Sequence, residues 1–175
     1  MFKRLTVVLS VLALLLLAVP GVSAQGTVRT QSFTSAVNPY AMHVPVGWTH
    51  STPTVSVYNV DAWVNPATTK GFHTNLIVAR FPATYGDTDA SFLQANELIA
   101  LHSWHNVATL GTVRVSGHLL TIMSVSRSDG SGDLQAYLIR GGYLWIFNLA
   151  AYTTTQNAWL PVFRQVFGSF STGAA

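Results

Sequence analysis

Apolar and polar positions repeat with a short period between Val107 and Ala151. VATLGTVRV, HLLTIMSVS, DLQAYLIR and YLWIFNLAA are each rich in β-branched and aromatic residues. They are separated by Ser116-Gly117, Asp129-Gly130-Ser131-Gly132-Asp133 and Gly141-Gly142. Runs of this kind between turn formers predict four consecutive strands of an antiparallel meander. In YLWIFNLA, Tyr143, Trp145, Phe147 and Leu149 share one face; Leu144, Ile146 and Ala150 share the other, with Asn148 among them. HLLTIMSVS likewise sets Leu120 and Ile122 against Leu119, Met123 and Val125. A strand with one wet face alternates cleanly, so two apolar faces predict a sheet covered on both sides.

Upstream, VRTQSFTS and YAMHVPVGW read as strands, the second stopped by Pro45 and Gly47. VSVYNVDAWV predicts a third strand with a bulge near Asp61, and Asn65 to Gly71 a turn-rich connection into a strand HTNLIVARF. Between Asp87 and Asn106 the period changes. Leu93, Glu97, Leu98, Leu101 and His105 fall on one helical stripe, and Ser91 with Gln94 forms a candidate capping box. A second helix is expected over Thr155 to Phe167, with Trp159, Phe163, Val166 and Phe170 in phase, Pro161 interrupting it and Gly168 ending it.

Met1 to Ala24 has the pattern of a secretory signal peptide: Lys3 and Arg4, an apolar run from Leu5 to Val19, and Val22-Ser23-Ala24 as the cleavage site. Its apolar run is shorter than the roughly 18 to 20 residues that span a bilayer comfortably. Residues 25–175 are then expected to form a single globular domain, secreted or extracytoplasmic, that meets the membrane only transiently through the leader. A retained anchor is the alternative. Without Lys3 and Arg4 the remaining charges nearly balance, so the whole-chain excess of basic residues does not point to nucleic acid. The chain has no cysteine, which excludes disulfides, thiolate metal ligands and a thiol nucleophile.

Candidate chemistry is sparse. His102 and His105 stand three apart on the predicted helix, the strongest metal-ligand spacing in the chain, but two imidazoles without a third ligand read better as ordinary histidines. Asp129 to Asp133 has calcium-like oxygens without the rest of a calcium loop, and a hairpin turn accounts for it. Asp87 and Asp89 fit helix capping. No nucleophile elbow or phosphate loop occurs. No cofactor is implied. Of the five tryptophans, Trp48 and Trp63, beside loops, are the candidate interaction surface.

YAMHVPVGW, with its apolar strand followed by Pro-x-Gly-Trp, resembles the opening of the PsbP-like superfamily. That superfamily includes the extrinsic photosystem II subunit, DcrB-type bacterial envelope proteins and a eukaryotic Ran-binding factor. The helix near Ser91, SGHLLTIMSV, GGYLWIFNLAA and the closing Phe-Gly-Ser-Phe of Phe167 to Phe170 follow in the same order, so the resemblance spans nearly the whole mature chain. It implies an α+β fold: an α-β-α sandwich with a central, mainly antiparallel β-sheet flanked by helices on both faces. It also implies a non-catalytic binding or assembly module of the bacterial envelope, with a protein or envelope partner. The alternatives are a small secreted hydrolase or histidine metal-dependent enzyme, whose residues would converge only in the fold, and a carrier with an apolar cavity between sheet and helix.

Overall fold

A computed structural model describes residues 27–55, 58–83 and 106–173. The signal peptide and the helix expected over Asp87 to Asn106 lie outside these residues. In chain order the strands are β1 (Thr30–Thr34), β2 (Ala41–Pro45), β3 (Thr49–Ser51), β4 (Thr54–Val55), β5 (Tyr58–Asn59), β6 (Asp61–Thr69), β7 (Phe72–Pro82), β8 (Asn106–Val115), β9 (His118–Ser126), β10 (Ser131–Arg140) and β11 (Tyr143–Tyr152). A short 3-10 turn, Thr153–Thr155, leads into helix α1 (Gln156–Gly168).

The expected meander is present as β8 to β11. Its turns fall at the expected glycines: Ser116 and Gly117 have φ of 47° and 87°, and Gly141 and Gly142 have 62° and 76°. Left-handed conformations at both central residues match the right-handed twist of the flanking strands, which is why such pairs close two-residue hairpins. The meander forms most of a seven-stranded sheet ordered β3-β6-β7-β11-β10-β9-β8, antiparallel throughout. β11, the most apolar strand, sits in the middle. Two expectations upstream change. The VSVYNVDAWV stretch divides into β4, β5 and the start of β6, and the bulge lies between Val64 and Thr68 instead of at Asp61. Asn65 to Thr69, expected as a loop, continues β6, and only Lys70 and Gly71 turn.

Both faces of the sheet are buried, as the two-sided pattern requires. One face carries Trp63, Leu76, Val78, Leu120, Ile122, Leu134, Leu138, Trp145, Phe147 and Leu149. Against it pack Trp159, Val162, Phe163, Val166 and Phe167 of α1, together with Tyr40, Met42 and Val44 from the β1–β2 hairpin. The other face carries Ile77, Ala79, Phe81, Met123, Tyr137, Leu144 and Ile146 with Val55 and Val60. Here Tyr58 of the β4–β5 hairpin meets Phe81 edge-on at 4.9 Å.

The expected sandwich with helices on both faces is therefore corrected. The fold is mostly antiparallel sheet, and the described residues hold one helix, on one face. Two-sided hydrophobicity demands cover but does not specify its kind, and hairpins supply part of it. Pro161 lies inside α1 without ending it. The helix begins at Gln156, one residue from the expected start and five before the proline, which removes a single backbone donor from its ladder.

Candidate functional site

Asp61 opens β6 at a position whose neighbours, Val60, Ala62 and Trp63, are all buried, and its own exposure is 1%. A carboxylate in that setting must be hydrogen-bonded to persist. Three side chains from different parts of the chain converge on it. Ser35 Oγ, just after β1, donates to Oδ2 at 2.6 Å, and Tyr40 OH, just before β2, donates to the same oxygen at 2.6 Å. His50 Nε2, on the edge strand β3, is 2.9 Å from Oδ1. The imidazole completes a cluster of three rings, 4.8 Å from Phe33 and 5.0 Å from Trp63, which meet each other edge-on at 4.9 Å. Burial, reinforced by the bond to Asp61, pushes the Tyr40 hydroxyl far above its ordinary range, so it stays a donor.

Serine, histidine and aspartate thus meet, and their order decides the chemistry. In a nucleophilic triad the imidazole stands between carboxylate and hydroxyl so that it can take the hydroxyl proton. In this protein the carboxylate stands between the other two. Ser35 Oγ also accepts from the backbone N–H of Val37 and Asn38, at 3.2 and 3.0 Å, which fixes it as a turn cap. The cluster ties the β1–β2 connection to the main sheet, and the serine hydroxyl faces the carboxylate and not the imidazole.

A second polar cluster occupies the opposite face, at the far end of β10. Arg127 Nη2 pairs with the buried Asp133 carboxylate, and Asn148 Nδ2 donates to its other oxygen at 3.3 Å. Burial pushes the Asp133 carboxyl up, with Arg127 opposing. In the adjoining turn Asp129 accepts from the N–H and the hydroxyl of Ser131, at 2.8 and 2.6 Å, bonds that hold its carboxyl below the usual carboxylate range. Asp129 to Asp133 is accordingly a hairpin turn with its oxygens engaged.

The residues singled out from sequence are scattered. His102 and His105 lie outside the described residues, and no group of three or more metal-ligating side chains occurs among the described ones. Trp63 is 1% exposed and belongs to the core, so it offers no surface to a partner. Trp48 is half-buried, edge-on to Trp159 of α1 at 5.8 Å, beside the exposed Val46. Ser35, Tyr40 and His50 carried no sequence signal as a group. Asp61 did carry one, a lone carboxylate inside an apolar run, which marks a buried charge in need of partners.

The architecture is thus a seven-stranded antiparallel sheet, preceded by a small hairpin and closed by a C-terminal helix packed with that hairpin on one face. No family model and no curated protein matches the sequence. Several solved structures are similar in fold, among them the following three. The cyanobacterial PsbP protein of Synechocystis aligns at 16% identity and a TM-score of 0.52, over 87% of this chain and 95% of its own. The Saccharomyces cerevisiae Ran-binding protein Mog1p aligns at 10% identity and a TM-score of 0.60, over 83% and 96%. A Pseudomonas aeruginosa protein of unknown function aligns at 12% identity and a TM-score of 0.50, over 78% and 92%. Identities this low establish a shared fold. Among the described residues no helix is long and apolar enough to cross a membrane.

Proposed function

We propose that the protein is an exported, non-catalytic binding or assembly module of a bacterial envelope, folded as one domain over residues 25–175 and acting on a protein partner. The observation that carries this reading is the match, over most of both chains, to a fold whose named examples include a Ran-binding protein. Export rests on the leader-like Met1 to Ala24, and kinship with DcrB-type envelope proteins on the YAMHVPVGW pattern. The arrangement around Asp61 supports the non-catalytic part: Ser35, which meets the carboxylate that His50 also contacts, has its hydroxyl turned to the carboxylate. Trp48 with Val46 remains a candidate contact surface.

Affinity capture with the mature chain from the envelope fraction of its source organism, followed by mass spectrometry, tests the reading. Recovery of one specific partner whose binding reproduces with purified components supports it. Repeated recovery of none, or hydrolysis of model esters that is lost on His50→Ala, counts against it.

A further inference from the structure

Arg80 on β7 lies directly opposite Trp145 on β11, and its guanidinium carbon stands 3.4 Å from the centre of the Tyr143 ring and 5.5 Å from that of Trp145. Arg80 forms no ion pair or hydrogen bond among the described residues, and its Nε is buried without an acceptor. Trp145 Nε1, on the opposed residue, is a second buried donor without an acceptor. Buried donors are rarely left unmatched in folded proteins, and two on facing residues of one sheet row mark a place where an acceptor belongs.

The surroundings indicate which acceptor. Arg140 is opposite Tyr143 on β10, exposed, and on the same sheet face as Leu138 and Trp145; its Nη1 donates to the Ser116 carbonyl at 3.4 Å, so a second arginine stands on the strand next to Tyr143. The nearby Asp61 carboxylate already holds three donors. Asp129 and Asp133 are at the other end of β10, with Asp133 seven residues from Arg140, about 24 Å at the rise of a strand. Among the described residues this corner of the sheet is therefore positive, with an aromatic platform. Tyr143 is 36% exposed and starts β11 beside the Gly141–Gly142 turn, so it is the wall best able to yield to a ligand.

We propose that Arg80, Tyr143 and Arg140 form a docking corner for an acidic peptide segment of a protein partner, with the Arg80 fork receiving a carboxylate and Tyr143 packing along its stem. A guanidinium held flat on a ring is pre-oriented for two parallel hydrogen bonds to a planar carboxylate. Two arginines are fewer than the roughly four to eight basic residues that recruit an anionic lipid surface, and they form no nucleic-acid stripe. The proposal rests on the binding-module reading and names the chemistry of its partner.

The test is NMR titration of the mature protein with a short glutamate-rich peptide, following the Arg80 Nε–H and Trp145 Nε1–H signals, with a lysine-rich peptide and phosphatidylglycerol vesicles as comparisons. The expected result is saturable shifts at both signals with the acidic peptide alone. Arg80→Gln should weaken that binding by about tenfold or more, with Arg80→Lys intermediate. Absence of saturable shifts in the wild type, shifts centred elsewhere, or binding to the vesicles but not the peptide would overturn it, and none of these readouts depends on a variant folding. Partner capture separates the two claims. A partner held equally by wild type and Arg80→Gln refutes the corner and leaves the module reading standing, whereas no partner at all refutes the module.

Discussion

Asp61 holds Tyr40, Ser35 and His50 with two oxygens, so its removal strands three polar groups, two of them from the β1–β2 connection. Leaving buried donors unmatched costs about 1 to 3 kcal/mol per group. Asp61→Ala is expected to destabilise the fold by about 3 kcal/mol, and Tyr40→Phe, which leaves the carboxylate two donors, by about 1 kcal/mol. Urea unfolding of both variants and of the double mutant checks this; additive losses would show that hydroxyl and carboxylate do not act together. Asp129 of the β9–β10 turn and Asp133 of β10 make opposite contributions to pH dependence. Asp133 has a raised folded value, so the native state keeps a proton that the unfolded chain has released, and stability falls as pH rises from the ordinary carboxylate range to that value. Asp129 has a lowered one, so its stabilisation is complete above the ordinary value and is lost as pH falls through the folded one. Unfolding free energies between about pH 3 and pH 8 should therefore lose their declining limb in Asp133→Asn and their acid-side loss in Asp129→Asn. The slopes are the readout, since Asp133→Asn also leaves Arg127 without its carboxylate. An unchanged profile in both variants would contradict these assignments.

At the scale of elements, α1 is fastened to the sheet by its first residue. Gln156 is buried, accepts from Ser124 Oγ at 2.8 Å and donates to the Val125 carbonyl at 3.1 Å. Space for that side chain exists because residue 132 is glycine: a Cβ there would stand 2.3 Å from the Val125 carbonyl oxygen and 2.5 Å from Gln156 Nε2. The amide can move; a carbonyl of β9, a strand paired on both sides, gives way less easily. Gly132→Ala should cost about 3 kcal/mol and Gln156→Ala about 2 kcal/mol, each read as a lower melting temperature. A neutral Gly132→Ala would mean that the β9–β10 ladder yields more readily than a packed sheet should. Gly132 also shows what the sequence hides. The strands β8 to β11 were legible nearly to the residue because alternation, β-branching and paired turn residues all act locally. That Gly132 serves a glutamine on the next element was not, because the contact joins positions that share no periodicity. The same holds for the Asp61 cluster, where Ser35 and Asp61 lie 26 residues apart. The described residues place a helix on one face only, since an apolar face records that it is covered and not by what.

For the whole molecule, an open seven-stranded sheet leaves two edges, and the two are protected differently. β3 is three residues long, too short to template another strand. β8 has ten residues, Asn106 to Val115, and nothing beyond it in the sheet order, so unprotected it would present a row of backbone donors and acceptors to a second chain. Two features interrupt that row. A bulge between Thr109 and Gly111 breaks the register, with Gly111 at φ 124°. Arg164, reaching from α1, donates its Nε to the Thr112 carbonyl at 3.1 Å, so the helix that covers the core also occupies an acceptor of the edge. The two features depend on each other, because a Cβ on Gly111 would stand 2.6 Å from Arg164 Nη2 and displace the guanidinium. Arg164→Ala should therefore change the monomer's stability by less than about 1 kcal/mol, since the bond it loses is at the surface. Its larger effect should be on association: the freed carbonyl extends the pairable length of β8, and light scattering should show concentration-dependent assembly that the wild type lacks at the same concentrations. Gly111→Ala should produce the same assembly with Arg164 present, by pushing it off the edge. Assembly in neither variant would show that the bulge alone closes β8, and assembly in Gly111→Ala without Arg164→Ala would place the protection in backbone geometry and not in the helix.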